Sequence, residues 1–312
     1  MDAEGLIRPP AILADNRDHQ GLGHSMIIDY RVRVPIDEIR RVMMTGHLKG
    51  YKRVYGASAG QVDFDAWCAR PLDDFLAHLD EAGIDKVLFQ AKDVETTFGA
   101  KLPNELVHAV TRRAPGRILF GASVDPHKGQ AALDEMEHAV KVLGAVEVNF
   151  QLFELKLFAD DPLMKPFYTK LSEWGVPAGL HTGMNFSDSI PMEYGDPMRL
   201  DRVACEFPDL KIVACPPGFP WVNQLIAVAW RHPNIHICTA PVRPKYLGKP
   251  GTGWEPLLTY GDNVLQDRLI FGTSWPLLPF KRSIEEIRAL PLKPATIEKF
   301  LGGNLARLLN VG

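Results

Sequence analysis

The sequence predicts one (β/α)8 TIM barrel, an α/β fold in which eight parallel strands alternate with helices. Eight short apolar runs rich in β-branched residues recur between residues 26 and 273, and helical patterns separate them. No glycine-rich phosphate loop follows the first run, so the closed barrel is favoured over a doubly wound open sheet with the same local alternation. Residues 1–25 are interpreted as an N-terminal extension and residues 26–312 as the barrel.

The strands are expected to be buried on both faces, because each run is apolar nearly throughout. Glycine, proline, aspartate or asparagine flanks every run, as expected at strand ends. The predicted strands are 26–32, 85–90, 117–124, 145–150, 176–181, 210–215, 234–239 and 267–273.

The helices are predicted from apolar residues at i, i+3, i+4 and i+7. In the helix predicted for 71–82 these positions are Leu72, Phe75, Leu76 and Leu79. Glycines that should end helices are Gly83, Gly144 and Gly175. The other predicted helices are 131–143, 163–174, 221–231, 284–290 and 295–309.

Three connections after strands are long for this fold: residues 34–70, 182–197 and 240–254. In a barrel such loops lie over the C-terminal face, where active sites form. We therefore expect them to form a lid over the site.

Composition excludes several classes of partner. With 35 Lys and Arg against 38 Asp and Glu, the net charge is −3, so nucleic acid is not expected. No apolar run reaches the ~18 residues of a membrane span, and the acidic, proline-bearing start does not resemble a signal peptide. The four scattered cysteines lack a CxxC pair, which favours reduced thiols and a cytoplasmic location.

The ends of the predicted strands carry the informative polar residues. Arg31 and Arg33 end the first strand, and their spacing of two places both on one face. Neither loses its charge in a protein, so the pair can clamp a carboxylate or phosphate or stabilise an oxyanion. The structural alternative is that they pair with acids of neighbouring strands, such as Glu147 and Asp93.

Other strand ends add further candidates. His181 ends the fifth strand, where it is either a catalyst or a hydrogen-bonded structural histidine. Ser274 is a candidate catalytic residue at the eighth strand. The residues expected to bind substrate are Gln90, Lys92, Asn149 and Trp275.

Several motifs in order along the chain resemble the amidohydrolase-related family of (β/α)8 barrels, which includes aminocarboxymuconate-semialdehyde decarboxylase-like members. The resemblance begins at about residue 26 and runs to the C-terminus. Its motifs include KDVETTFG at 92–99, GASVDPHKG at 121–129, GVPAGLHTG at 175–183, GFPW at 218–221, FGTSWP at 271–276 and GGNLARLL at 302–309.

The resemblance implies a divalent metal, usually zinc, held by His-x-His on strand one, a His on strand five, often a His after strand six and an Asp on strand eight. The matching first pair is Arg31 and Arg33 here, and only His181 is kept. Pro216 and Ser274 stand at the remaining positions. One imidazole cannot hold a catalytic zinc that takes three protein ligands, and two fixed cations repel it. We therefore expect no metal and no other cofactor.

Two function classes follow. The first is a metal-independent enzyme that hydrolyses, or cleaves a carbon–carbon bond of, a small cyclic or aromatic carboxylate. Arg31 and Arg33 would grip the anion, and His181 would act as the general base. Ser274 and Asn149 would orient substrate or water, and Trp275 would form an apolar wall. Tight binding of a carboxylate impedes its own loss, which favours hydrolysis over decarboxylation.

The second class is a non-catalytic barrel that binds a ligand or serves as the partner subunit of an enzyme. A metal site moved to new ligands is a third interpretation, with Asp29, Asp93, His181 and Cys215 as candidates. A small anionic organic substrate is the expected ligand, and assembly as a homo-oligomer is possible for this fold.

Overall fold

The eight predicted strands form one parallel sheet that closes into a barrel. The computed structural model describes residues 26–43, 46–48, 50–51, 53–54 and 64–312, and the predicted extension 1–25 lies outside these residues. The strands in chain order are β1 Ile28–Val32, β2 Lys86–Gln90, β3 Lys92–Val94, β4 Ala100–Leu102, β5 Ile118–Ser123, β6 Glu147–Phe150, β7 Ala178–His181, β8 Ile212–Cys215, β9 Ile235–Cys238 and β10 Leu269–Ile270. The barrel order is β1-β2-β5-β6-β7-β8-β9-β10, and β3 and β4 form a separate antiparallel hairpin.

The barrel closes between its first and last strands. Tyr30 N donates to Phe271 O at 3.0 Å, and Arg33 N donates to Trp275 O at 3.0 Å. Val32 and Trp275 also form a parallel bridge. The (β/α)8 prediction is therefore confirmed.

Strand residues alternate between two cores, as the period of two requires. Leu88, Val213 and Cys215 belong to a cluster inside the barrel. Their neighbours Val87 and Phe89 pack outwards against the helices. A strand that buries both faces must be apolar along its whole length, which explains the continuous apolar runs in the sequence.

The longer helices cover the outside of the barrel, as predicted from their apolar stripes, whereas the short helix Leu152–Leu155 lies at the pocket. The helix bounds are Asp37–Met43, Phe64–Cys68, Leu72–Ala82, Glu95–Phe98, Asn104–Thr111, Gln130–Lys141, Leu152–Leu155, Lys165–Trp174, Met198–Glu206, Val222–Arg231, Pro256–Gly261, Phe280–Arg288, Pro294–Glu298 and Asn304–Leu309. Gly83 and Gly175 end helices in the left-handed conformation as predicted. Gly144 does not end a helix, because the helix before it already ends at Lys141.

Seven of the described helices were not predicted, and one helix was predicted as continuous when it is not. The seven are Asp37–Met43, Phe64–Cys68, Glu95–Phe98, Asn104–Thr111, Leu152–Leu155, Met198–Glu206 and Pro256–Gly261. The two longest of them show why. The helices Asn104–Thr111 and Met198–Glu206 each bury only a few residues, so their apolar stripes are short. The predicted helix 295–309 contains a π-helical turn, Lys299–Gly303. There a Cβ on Gly302 would lie 1.9 Å from Met26 O, so the turn packs directly on the backbone before β1.

The predicted long loops meet above the C-terminal ends of the strands. Leu48 from the first loop, Phe153 after β6 and Ile190 from the loop after β7 form a buried cluster, with Tyr51 and Tyr194 against it. All four cysteines are free thiols. Within the described residues, no helix is long and apolar enough to span a bilayer.

Candidate active site

A pocket of about 760 Å³ lies under the loops at the C-terminal ends of the barrel strands. Strand ends supply most of its polar wall, and the loops supply its apolar wall. Its lining residues are Arg31, Arg33, Leu48, Tyr51, Lys92, Gln151, Phe153, Glu154, His181, Pro216, Pro241, Ser274 and Leu277. Four of the predicted site residues, Arg31, Arg33, His181 and Ser274, therefore share one pocket, and Lys92 lies in the same wall.

Arg31 enters the barrel because β1 is irregular. Tyr30 and Arg31 are consecutive, yet both reach inner residues: Tyr30 Oη donates to Glu147 Oε1 at 2.5 Å, and Arg31 Nη1 donates to Cys215 Sγ at 3.7 Å. Regular alternation would turn one of them outwards, and the register of β1 shifts between Asp29 and Val32. Such irregularities re-aim side chains at functional sites.

The hydrogen-bond partners of the Arg31 guanidinium are a thiol and an amide, and the pKa of that Cys215 thiol is lowered by Cys238 and by the Arg31 charge. Besides Cys215 Sγ, the guanidinium donates through Nη2 to Gln151 Oε1 at 3.2 Å. Among the described residues, no carboxylate oxygen lies within 4.0 Å of it. A buried charge without a counterion is costly, so this cation is suited to an anionic ligand.

Arg33 adds a second positive charge to the same wall. Burial and the neighbouring Arg31 charge lower the pKa of Arg33 to about 10, while Glu154 acts in the opposite direction. The side chain stays charged at neutral pH. The two guanidinium groups line one pocket, as their spacing predicts.

Lys92 faces the arginines from β3 but has a protein counterion. Lys92 Nζ donates to Glu154 Oε1 at 2.5 Å, and His47 Nε2 lies 2.6 Å from the same oxygen. Burial alone would raise the pKa of Glu154, but Lys92 and His47 lower it to about 2. The carboxylate is therefore ionised and its charge is compensated.

His181 ends β7, and its exposed fraction is only 3%. Neither ring nitrogen has a hydrogen-bond partner in the part of the chain that the structure describes. Burial and the Arg31 charge lower the pKa of His181 to about 3, so the ring is neutral. Phe153 packs beside it, with ring centroids 4.4 Å apart. A buried imidazole with two unused nitrogens is positioned to bind a ligand or water.

Ser274 lies in the pocket with an unusual backbone. Its φ is +50°, a left-handed backbone conformation that residues other than glycine rarely adopt. Its neighbours are anchored: Thr273 N and Oγ1 donate to the buried Asp29 carboxylate at 3.0 and 2.6 Å. Trp275 accepts the hydrogen bond from Arg33 N described above. Strain maintained by such anchoring is typical of functional sites.

A second pocket, of about 490 Å³, lies behind the arginines and shares Lys92 and Gln151 with the first. Gln90 and Asn149 line this second pocket and not the first. Gln90 Nε2 donates to both carboxylate oxygens of Glu147 at 3.1 Å. Gln151 Nε2 donates to Asn149 Oδ1. These two predicted substrate-binding residues are thus partly engaged with protein groups.

Some expectations about contacts are wrong. Glu147 and Asp93 do not pair with the arginines: Glu147 binds Tyr30 and Gln90, and Asp93 binds Lys101 and Lys128 at 3.0 and 2.7 Å. The acid that lines the pocket together with the arginines is Glu154, which was not predicted from the sequence.

Trp275 does not form a wall of either pocket. Its ring packs outside them, 4.5 Å from the Phe280 ring and 5.0 Å from the His78 ring. Other residues missed from the sequence are Tyr51, Gln151 and Phe153, which line the first pocket. The run QLFEL directly after β6 was the available signal, because residues that follow a barrel strand face the site.

The pocket does not offer the donor set of the metal site implied by the resemblance. Among the described residues, the pocket wall contains one imidazole, His181, and one acid, Glu154. Lys92 and His47 already contact the Glu154 carboxylate. The described group of three candidate ligands is Asp201, Cys205 and His232, on the outer helices. Asp93 and Cys215 are engaged elsewhere, so the interpretation of a relocated metal in the barrel mouth finds no ligand cluster in the described residues.

Comparison with known proteins places the chain in a family. The amidohydrolase family model matches residues 47–311. A search of curated proteins found no match. An uncharacterized TIM-barrel protein from Bordetella bronchiseptica, Bb4693, is similar with 25% identity and a TM-score of 0.78, over 91% of this chain and 98% of that one.

Two enzymes of known name share the fold at lower identity. The 5-carboxyvanillate decarboxylase LigW from Sphingomonas paucimobilis has 18% identity and a TM-score of 0.69, over 92% of this chain and 100% of that one. The 2,6-dihydroxybenzoate decarboxylase from Rhizobium has 17% identity and a TM-score of 0.66, over 92% and 99%. At these identities the two structures show a shared fold. The match over most of its length shows that the chain belongs to the amidohydrolase family.

Proposed function

We propose that this protein is a metal-independent enzyme that hydrolyses, or cleaves a carbon–carbon bond of, a small cyclic or aromatic carboxylate. The observation that carries the proposal is the Arg31 guanidinium, which lines the same pocket as the His181 imidazole. Among the described residues, Arg31 has no carboxylate partner and neither ring nitrogen of His181 has a hydrogen-bond partner. The names of the two decarboxylases are those of enzymes acting on aromatic carboxylates, which supports the substrate class.

The arginines take the electrostatic part that a metal plays in other barrels. Arg31 and Arg33 bind the carboxylate or the oxyanion that develops on a reacting carbonyl. Their charge is fixed, and the apolar wall of Leu48 and Phe153 excludes water, which strengthens the attraction.

His181 is the general base in this proposal. In the free site its pKa of about 3 makes it a weak base. An anion bound to Arg31 offsets the charge that lowers this pKa, so the imidazole becomes more basic when substrate binds. For hydrolysis, His181 takes a proton from water as the water oxygen attacks the carbonyl carbon, and returns it to the leaving oxygen. Ser274 orients the water or the substrate.

Hydrolysis or ring opening is favoured over decarboxylation at this site. A carboxylate held between two arginines is stabilised in the ground state, which raises the barrier to losing that same group. Decarboxylation requires that the arginines hold a different, retained anionic group.

The test is a turnover assay on a panel of lactones and cyclic or aromatic acids after dialysis against a chelator. We expect activity without added metal, and loss of at least about a hundredfold in Arg31→Met and in Arg33→Met. Arg199→Met, which removes an arginine bound to Asp160 outside the pocket, is the matched control and should keep activity.

Activity retained in both pocket variants would overturn the mechanism, and a stoichiometric metal needed for turnover would overturn metal independence. Tight binding of acids with no turnover across the panel would favour the non-catalytic barrel instead.

A further inference from the structure

A third cavity adjoins the first pocket, which Arg31, Arg33 and Lys92 line and which we call the charged pocket. Pro216, after β8, and Pro241, after β9, belong to the walls of both. Four of the ten wall residues of the third cavity are aromatic: Phe186, Phe219, Tyr246 and Trp254. Five of the others are apolar. A ligand anchored at the arginines therefore has an apolar space directly beside it.

The one charged wall residue of this cavity in the described structure, Arg243, is paired with Glu286. Its Nε donates to Glu286 Oε1 at 2.7 Å, and its Nη2 donates to the same oxygen. The other oxygen of Glu286 accepts from Lys245 N at 3.2 Å. With this charge compensated, the cavity favours an uncharged group, unlike the pocket around Arg31.

The aromatic walls are held by the loop backbone. The Phe219 and Trp254 rings lie 5.1 Å apart at an angle of 35°. Met184 N donates to Phe219 O at 2.6 Å, which ties the loop after β7 to the loop after β8. Gly253, with φ of +81°, lets the chain turn next to the Phe219 ring. Rigid aromatic surfaces bind apolar rings at low entropic cost.

We propose that this aromatic cavity binds an apolar, ring-bearing arm of the same substrate whose carboxylate binds Arg31. The substrate class is then an amphipathic carboxylate, longer than a simple benzoate. The inference rests on the proposed function, since it takes the Arg31 side as the anion site.

The test measures binding of benzoate, phenylacetate, phenylbutyrate and phenylhexanoate by titration calorimetry. In the wild type we expect affinity to rise along the series. Trp254→Ala should cancel this gain, weakening the longest acid about tenfold or more while leaving benzoate unchanged. Trp254→Phe should restore most of it, which separates loss of the ring from a folding defect.

The matched control is Trp230→Ala, because Trp230 is 53% exposed and lies in the wall of neither cavity. It should leave the whole series unchanged. The proposed binding of an arm in this cavity would be overturned if affinity did not depend on chain length. It would also be overturned if Trp254→Ala weakened the binding of benzoate as much as that of the longest acid. Benzoate binding unchanged in Arg31→Met would instead overturn the proposed function, so the two failures are distinguishable.

Discussion

The two sides of the charged pocket differ in whether a protein carboxylate balances their positive charge. On one side, Lys92 and His47 both contact Glu154, so the charge is compensated within the protein. On the other, Arg31 contacts a thiol and an amide, and His181 contacts no hydrogen-bond partner. A compensated pair stabilises the fold, whereas an uncompensated cation costs stability and is suited to a ligand. We therefore expect the arginine side to bind the substrate, and the contacts of Lys92 and His47 with Glu154 to hold the loops above the pocket in place.

The largest expected effect is on the compensated side. Glu154→Gln should lower the free energy of unfolding at pH 7 by about 3 kcal/mol, because the pKa of Glu154 falls from 4.5 to about 2 on folding and one unit is about 1.4 kcal/mol. A carboxyl group whose pKa is lowered on folding stabilises the folded protein at pH values above its unfolded pKa, here 4.5. This stabilisation is lost as the pH falls towards 2. The difference between variant and wild type should therefore narrow on acidification, as measured by urea unfolding at pH 7 and about pH 3.

Glu193→Gln is the control, because Glu193 is an exposed acid in the loop after β7. It should change the unfolding free energy by less than about 0.5 kcal/mol at either pH. A Glu154→Gln variant as stable as the wild type at neutral pH would contradict the idea that this side is structural.

The arginine side should respond in activity more than in stability. Arg31→Met removes a cation without a described carboxylate partner and keeps most of the side-chain volume. Burial acts against the charged form of Arg31, but the contact with Cys215 outweighs it and raises the pKa of Arg31. We therefore expect activity to be lost while the free energy of unfolding changes by less than about 1 kcal/mol. Denaturant unfolding measures the second effect, and a decrease of about 3 kcal/mol, as expected for Glu154→Gln, would mean that this side is structural as well.

The same variant tests the link between Arg31 and the imidazole of His181. Burial and the Arg31 charge lower the pKa of His181 to about 3, so removing that cation must raise the pKa. Histidine NMR titration measures it, and benzoate bound to the wild type should shift it in the same direction. His236, whose pKa is lowered to about 4 by burial and Arg268, is an internal control and should not move. An unchanged pKa of His181 would show that the Arg31 charge does not act on this imidazole, and would contradict its proposed role as the general base.

The fold was predictable because burial on both sides of a parallel strand leaves a strong apolar pattern. The prediction was least accurate at the last strand, expected at 267–273 but limited to Leu269–Ile270. Beyond Ile270 the apolar residues continue, but Phe271 N donates to Phe300 O, in the π-helical turn. That interaction depends on a distant segment, so the local pattern could not reveal it.

The site was predictable only where a strand end fixed a side chain's direction. Arg31, Arg33 and His181 were placed in one pocket by that rule, and Glu154 was missed because it lies in a short helix beyond the strand end. Trp275 follows a strand end as well, but the left-handed Ser274 redirects the chain and the indole packs on Phe280. Positive φ at a serine is set by tertiary anchoring and leaves no sequence signal.

The smallest effect we expect concerns this strained residue. Ser274→Gly and Ser274→Ala both remove the hydroxyl, but only glycine adopts a φ of +50° without strain. The Ser274→Gly protein should therefore be more stable than the Ser274→Ala protein by about 0.5–1 kcal/mol. The greater conformational entropy of glycine in the unfolded state reduces this difference. If the hydroxyl orients water or substrate, turnover falls equally in both variants, because both lack it. If the backbone conformation is what matters, glycine keeps activity and alanine does not. Thermal unfolding and turnover measured on the same pair separate the strain from the hydroxyl, and a glycine variant less stable than alanine would show that the anchored turn stores no strain.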